Sequence, residues 1–417
     1  MHVHCFPFIP PGYLDLFFNK FNQCHEYMIL HVNLKKIVRL LAFQWYNSFQ
    51  QMLKGVSTLK EEEILSQGIT LLKKSLSGIP FFNNAVVEPR LLPGQSNRAD
   101  LIISIPGKEY LLMIEARSSG QPRYAREAIN ALLLIRNQNP QVYGIIIAPF
   151  ISEQAAKICE DADIGYLDLS GNCRLSFQSI FIQKEGQPNQ FIIKRKLSSL
   201  YSAKSERILR VLLTYPYRSW RTKELAQKAS VSLGLVSYVK KHLDDREWIQ
   251  VSIDGFALIQ PQALLDEWGK NYSYRRNDIS DYYTLLSPAD LEKKLREVCS
   301  ENHIFYALTG FSAANHYAPT VRNQRTMVYL SGDIGQVAQQ LGLKPVTSGA
   351  NVSIFKPYDD GVYLESREVN GILAATPIQV YLDLKNYRGR GEEAAETIYR
   401  EIIQKQWSKQ KTTTLKQ

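Results

Sequence analysis

The sequence predicts a multidomain chain that mixes α/β and α+β folds, and three observations carry that assignment. Helical periods alternate with apolar strand-like runs across residues 59–169. Three short helical periods followed by two strand-like runs occupy 204–259. Helix and strand signals then alternate again from Pro288 onward. At 417 residues the chain exceeds what one ordinary core organises, so about three folded regions are expected. The expected boundaries are 1–51 for an N-terminal extension, 52–190 for the first α/β region, 195–270 for the helical region and 281–410 for the last.

Residues 1–51 are rich in aromatics and histidine and show helical spacing only over 37–49. His2, His4 and His25 have no carboxylate or thiol at a spacing that closes a metal site. Pro10, Pro11 and Asp15 interrupt the early apolar patches, which argues against a signal peptide, and Lys35, Lys36 and Arg39 break the best candidate for a membrane span. Met52, where the regular pattern begins, is an alternative start. The five cysteines are scattered without a Cys-x-x-Cys pair, so free thiols in a reducing cytoplasm are expected.

The first α/β region opens with a helix placing Ile64, Leu65, Ile69, Leu72 and Leu76 on one side. Three strand-like runs follow at 85–92, 99–105 and 110–116, with Pro106-Gly107 as the turn between the last two. A helix at 123–137, a strand at 143–148, a helix at 152–162 and a strand near 166–169 complete it. Asp168 to Asn172 has the composition of a tight turn. Asp100 begins one strand, and Glu115-Ala116-Arg117 ends the next.

Ser205 is expected to cap the first helix of the central region, in which Ile208, Val211 and Leu212 recur at helical spacing before Tyr215, Pro216 and Tyr217 stop it. Thr222 is expected to cap the second. Ser232 opens a third, with Leu235, Val239 and Leu243 inward and Ser237, Tyr238, Lys240 and Lys241 on the other face. Runs at 248–251 and 256–259 make a hairpin turned by Asp254-Gly255. Three helices and such a hairpin make a winged helix-turn-helix, a module that lays its third helix in the DNA major groove.

Charge agrees. Lys194, Arg195, Lys196, Lys204, Arg207, Arg210, Arg218, Arg221, Lys223, Lys228, Lys240, Lys241 and Arg246 face few acids here, and the whole chain carries a net charge of +10. Cations that neutralise phosphates release condensed counterions, so the expected partner is double-stranded DNA, bound in a salt-sensitive way. The expected contacts are Arg221, Thr222, Lys223, Ser232, Ser237, Tyr238, Lys240 and Lys241. A protein-only role for the module is the plainer alternative. A homodimer reading an inverted repeat fits the motif, although no heptad marks an interface.

After a segment at 270–280 without periodicity, read as a linker, a helix is expected at 288–299 and a strand at 305–308. Thr309-Gly310-Phe311-Ser312 turns that strand into a further helix, and the next strand is 326–330. This order resembles the minimal nucleotidyltransferase fold, in which a Gly-Ser turn holds triphosphate and the following strand carries two metal-binding aspartates. Here that strand, Thr326 to Leu330, carries none, and Asp333, Asp359 and Asp360 lack the alternation that aims two carboxylates at one ion.

Two further resemblances follow from these residues. The helix, three-strand meander, helix and strand order with Asp100 and Glu115-Ala116-Arg117 resembles the PD-(D/E)XK nuclease superfamily. That implies a Mg²⁺ site at Asp100 and Glu115, with Glu62 and Arg117 as further catalytic candidates. Arginine stands where that family has lysine and, remaining protonated, cannot accept the proton of an attacking water. The plain reading pairs Asp100 and Glu115 with Arg98, Arg117 or Arg123, leaving an inactive fold and no cofactor. The second resemblance covers 204–404. Gln379 to Leu384 followed by Gly389-Arg390-Gly391-Glu392-Glu393, together with the 308–319 segment and the preceding winged helix, is similar to AbiEi-type antitoxins of type IV toxin-antitoxin systems. It implies a cytoplasmic transcriptional regulator that binds promoter DNA and counters a nucleotidyltransferase-type toxin without a required stable complex. A metal-dependent endonuclease is the alternative.

Overall fold

The computed structural model describes residues 59–79, 86–88, 101–104, 111–191, 200–319 and 325–414. The expectations for 1–51, Asp100, the Pro106-Gly107 turn and Lys194 to Lys196 lie outside the described residues. The chain divides into two units, 1–64 and 65–417. The described part of the first is 59–64, which includes the opening turn of α1 (Glu61–Leu76) with its exposed acids Glu61, Glu62 and Glu63.

Among the described residues the larger unit holds two seven-stranded sheets and a two-stranded one, a mixed α/β arrangement. In the first sheet, β1 (Val86–Glu88), β2 (Leu101–Ser104), β3 (Leu111–Ala116), β4 (Val142–Ala148), β5 (Gly165–Asp168), β6 (Cys173–Phe177) and β7 (Ile180–Lys184) lie side by side in chain order. Pairing is antiparallel from β1 to β3, parallel from β3 to β5 and antiparallel again to β7. The parallel crossovers need helices, and α2 (Pro122–Gln138) and α3 (Glu153–Asp161) supply them. Ala125, Ala128, Ile129, Leu132 and Ile135 put the apolar stripe of α2 on the sheet. Gly68 brings α1 against β4, since a Cβ there would fall 2.5 Å from Ile147.

Strands β6 and β7 lie outside the elements expected from the sequence. Their alternation lies beyond the turn at 168–172, which is itself present and organised by buried Asp168. That carboxylate accepts from the backbone N–H of Ile151 (3.1 Å) and of Asn172 (2.9 Å) and from the Asn172 side chain (2.9 Å).

The central helices are α4 (Ala203–Thr214), α5 (Thr222–Ala229) and α6 (Leu233–Asp245), followed by β8 (Ile249–Ser252) and β9 (Gly255–Leu258). Two expected caps move. The N-cap of α4 is Ser202, while Ser205 is buried inside the helix with its hydroxyl 2.9 Å from that of Ser202. Arg221 is the N-cap of α5, and Thr222 is its first residue. The hairpin loop also shifts, to Ile253-Asp254, because Ser252 pairs with Gly255. Gly255 is required for another reason: its φ is +144° and a Cβ would lie 2.3 Å from the Trp220 carbonyl. Trp220 bridges Phe256 there and adds a third strand position to the hairpin.

The segment read as a linker is structured. It comprises the end of α7 (Pro261–Asn271), a 3₁₀ turn (Tyr274–Arg276) and the start of β10 (Asp278–Tyr283). Around β10 a second sheet forms with β11 (Tyr306–Leu308), β12 (Thr326–Leu330), β13 (Lys344–Pro345), β14 (Val352–Lys356), β15 (Arg367–Val369) and β16 (Ile372–Ala374), in the order β13-β10-β14-β12-β11-β16-β15. Helices α8 (Pro288–Glu301), α9 (Gly310–Tyr317), α10 (Ile334–Gln340), α11 (Pro377–Lys385) and α12 (Gly391–Ile398), a π-helical turn (Tyr399–Gln404) and α13 (Lys405–Thr414) complete the region.

One apolar core runs from Leu200 through Trp268 to Trp407, so the central helices and the second sheet share an interior. Helix α13 caps α4: Trp407 Nε1 donates to the Leu213 carbonyl (2.8 Å) and Gln410 Nε2 to that of Thr214 (3.0 Å), two acceptors that a helix end leaves unmatched.

Candidate nucleic-acid interface

Helix α6 starts where the sequence placed it. Ser232 is its N-cap and accepts from the Leu235 N–H at 3.3 Å. Val236, Val239 and Leu243 are buried and Leu235 is half-buried, so the opposite face is solvent-exposed. Leu233, Ser237 and Lys241 line up at four-residue steps along it, with Leu233 53% exposed. Lys241 lies 3.7 Å from Asp245. Of the four α6 side chains expected to face outward, only Ser237 and Lys241 are exposed. Lys240 is half-buried with its ammonium 5.3 Å from the Phe256 ring centre, and Tyr238 is half-buried with its ring 4.3 Å from His242. Burial, then the nearby Arg246 and Lys241, lower the His242 pKa to about 4, so the imidazole is neutral at pH 7.

At the start of α5, Arg221 and Lys223 are exposed and Thr222 is half-buried. Among the described residues no carboxylate forms an ion pair with Arg221 or Lys223. Lys223 and Ser232 line one open groove between α5 and the start of α6, with Lys204 at its rim. The hairpin brings no cation to this surface: exposed Val251 lies on β8, and its tip is the fully exposed Ile253 beside the exposed carboxylate of Asp254.

Several cations counted as phosphate ligands are engaged within the protein. Asp359 receives Arg207 (2.6 and 3.1 Å) and Lys204 (3.0 Å), Glu365 pairs with Lys228, and Arg218 pairs with Glu224. Arg210 is fully buried. Its Nε donates to Gln379 (2.8 Å), its guanidinium lies 5.1 Å from the Trp268 ring, and its Nη atoms have no hydrogen-bond partner among the described residues. Nearby Glu206, also buried, accepts from Arg276 at 2.5 Å and from the Tyr358 hydroxyl. Helical spacing alone does not separate these inward cations from outward ones, because their partners on α4's polar side, Asp359, Gln379 and, through Glu206, Tyr358 and Arg276, come from loops and a helix distant in sequence.

In the first sheet, Glu115 is buried near the end of β3 and Arg117 Nη2 lies 2.5 Å from its Oε1. The Arg117 backbone N–H continues the ladder to Ile147 (2.8 Å). A carboxylate closed by a guanidinium is a poor cation ligand, because the metal would meet a fixed positive charge. Among the described residues no group of three His, Cys, Asp or Glu stands close enough to hold a metal. Of the pairings expected for Asp100 and Glu115, the described residues include Glu115 with Arg117. Glu62 belongs to the other unit, and Asp100 lies outside the described residues.

In the second sheet, Gly310 has φ +51° and a Cβ there would fall 2.3 Å from Met327 Sδ, so β12 fills the space beside the turn. The Ser312 hydroxyl donates to the Arg325 carbonyl (3.3 Å) and accepts from the Met327 N–H (3.0 Å). Thr309 donates to the buried Asp383 at 2.5 Å, as do Tyr272 (2.6 Å) and Tyr329 (2.9 Å). Burial raises the Asp383 pKa, and these hydrogen bonds oppose the shift. The Gly-Ser turn is thus occupied by internal contacts.

A third set of contacts was not foreseen. Arg123 of α2 pairs with Asp244 at the end of α6, and Arg126 Nε lies 2.9 Å from Glu247 Oε2. A basic residue at each of two positions three apart on α2 was the available signal. Nothing in the sequence indicates which acids they meet.

Residues 257–404 match the family described as transcriptional regulator, AbiEi antitoxin, type IV toxin-antitoxin system. The match begins in β9 and ends with the π-helical turn, so it supports the AbiEi resemblance over the second sheet and its helices and leaves α4–α6 outside. No curated protein matches the chain. Among solved structures, "Structure of EndoMS-dsDNA2 complex" is similar at 12% identity and a TM-score of 0.18, over 25% of this chain and 44% of that one. This chain therefore spans less than half of that structure, and a likeness so slight carries no argument. No helix among the described residues is long and apolar enough to cross a membrane.

Proposed function

We propose that this chain is a cytoplasmic DNA-binding transcriptional regulator of type IV toxin-antitoxin type, whose DNA reader is a winged helix-turn-helix formed by α4, α5, α6 and the β8–β9 hairpin. The observation that carries the proposal is the solvent-exposed outer face of α6, immediately before a region matching AbiEi-type regulators. The order of three helices and a hairpin, with Trp220 bridging Phe256 between α4 and α5, supports this reading.

In this reading Arg221, Lys223 and Lys241 meet phosphates, Ser232 and Thr222 place the helix starts against the backbone, and Ser237 reads a base edge. Lys240 and Tyr238 support α6 from its flank and reach the duplex only at its margin. The second sheet is a nucleotidyltransferase-like shell without paired acids, whose role is to oppose a nucleotidyltransferase-type toxin. The first sheet is a PD-(D/E)XK-like fold turned to a non-catalytic role. A dimer would present two α6 helices to an inverted repeat.

The test is a band-shift assay with DNA from upstream of the chain's own gene, run in Mg²⁺ and in EDTA. The proposal expects a retarded band in both, weakening steeply with salt, and no shorter products. Mg²⁺-dependent shortening that Glu115→Ala abolishes would establish the endonuclease reading instead.

A further inference from the structure

The end of α6 is acidic. Asp244, Asp245 and Glu247 lie within four residues, next to the face that the proposed function turns toward phosphate. Carboxylates there repel a duplex, so what becomes of their charge decides how well α6 can approach.

Two of the three are met by arginines of α2, a helix of the first sheet: Arg123 pairs with Asp244 and also with Glu127 (3.4 Å), and Arg126 pairs with Glu247 (2.9 Å). Asp245 lies 3.7 Å from the Lys241 ammonium of the same helix, a looser pair that leaves Lys241 largely exposed. Asp244 is the largest influence on Arg123 and raises its pKa.

Glu247 adds an independent observation. It sits at φ +58° just past the end of α6, where Trp248 N–H bonds the Leu243 carbonyl (2.9 Å) and Glu247 N–H that of Asp244 (2.9 Å). This is the left-handed helix stop that glycine fills most easily. A glutamate accepts the strain and offers in return a carboxylate for Arg126.

We propose that the first sheet serves the reader as an electrostatic shield: Arg123 and Arg126 neutralise Asp244 and Glu247, so that α6 presents a net positive face to the duplex. The inference rests on the DNA-binding reading and gives the nuclease-like region a role that needs no catalysis. The two arginines are positioning residues that act through the acids they cover.

The test measures affinity for a fluorescent duplex from upstream of the gene, using the full chain. At 50 mM salt, Arg123→Ala with Arg126→Ala lowers affinity by about threefold to tenfold, and the difference shrinks at 300 mM, as expected for exposed charges. Adding Asp244→Asn and Glu247→Gln to that variant restores affinity to at least the parent's level, with unfolding midpoints recorded for each protein. Unchanged affinity in the arginine variant overturns the proposal. So does a loss that the acid substitutions fail to repair, because the arginines would then be touching DNA themselves. A parent chain that binds no duplex removes the reading beneath, a result separate from either.

Discussion

Arg207 and Asp359, 152 residues apart, form a two-point pair, Nε to Oδ1 at 2.6 Å and Nη2 to Oδ2 at 3.1 Å. It ties the first helix of the proposed reader to the loop after β14, with Lys204 as a second cation and the Gly361 N–H (2.8 Å) completing the cradle. Asp359→Ala leaves Arg207 largely buried without its partner, a loss of about 1–3 kcal/mol. Thermal unfolding of the full chain should show a lower midpoint, and Asp359→Asn a smaller drop.

That pair also sets a pH dependence. Burial pushes the Asp359 pKa up, but Arg207, Lys204 and the Gly361 N–H together hold it below the ordinary aspartate value. A depressed folded pKa contributes stability that is present above the unfolded value, about 3.9, and is lost as pH falls through the folded one. Stability measured from pH 6 to pH 2.5 should therefore fall more steeply below about pH 4 in the parent than in Asp359→Asn. Parallel curves would remove this pair from the acid response.

Lys240 and Lys241 are adjacent in sequence and differ in space. Lys241→Ala should flatten the salt dependence of DNA affinity by about one phosphate contact, a slope change near 0.9 in log–log form. Lys240→Ala should change that slope less and lower the unfolding midpoint slightly, because its ammonium rests over Phe256. Equal slope changes would show that both reach phosphate.

Gly255→Ala tests the hairpin. It forces a Cβ against the Trp220 carbonyl at a positive φ, so a cost of about 1–3 kcal/mol is expected. The same change at Gly234, where a Cβ meets nothing within 4 Å, should leave stability unchanged or higher. A chemical denaturation series on both variants gives the comparison.

Much of this architecture was legible in the residues. Ser232 before an apolar period marked α6, and the 3.6-residue repeat in α2 and the apolar run of β4 placed the first sheet, because each signal is local. What failed was long-range. Tyr274 and Arg276 lie in a segment without periodicity, yet Tyr274 is buried in the shared core and Arg276 reaches buried Glu206. Arg207 and Arg210 looked like surface cations because their acceptors, Asp359 and Gln379, come from the far end of the chain. In the candidate interface, Ser237 and Lys241 were readable from helical phase, whereas Lys240 and Tyr238 were turned aside by the hairpin and by His242. The Arg126–Glu247 pair was hidden because helix spacing carries no information about a neighbouring domain.

The most direct measurement places a negative charge on the outer face of α6. Fluorescence anisotropy with upstream duplex DNA would compare the parent, Ser237→Glu and, as a control on the exposed side of α8, Ser300→Glu. Ser237→Glu should lose more than about tenfold in affinity at 100 mM salt, since one new repulsion of about 1.4 kcal/mol suffices, while Ser300→Glu should bind like the parent. Equal affinity for all three would contradict the claim that this helix meets DNA.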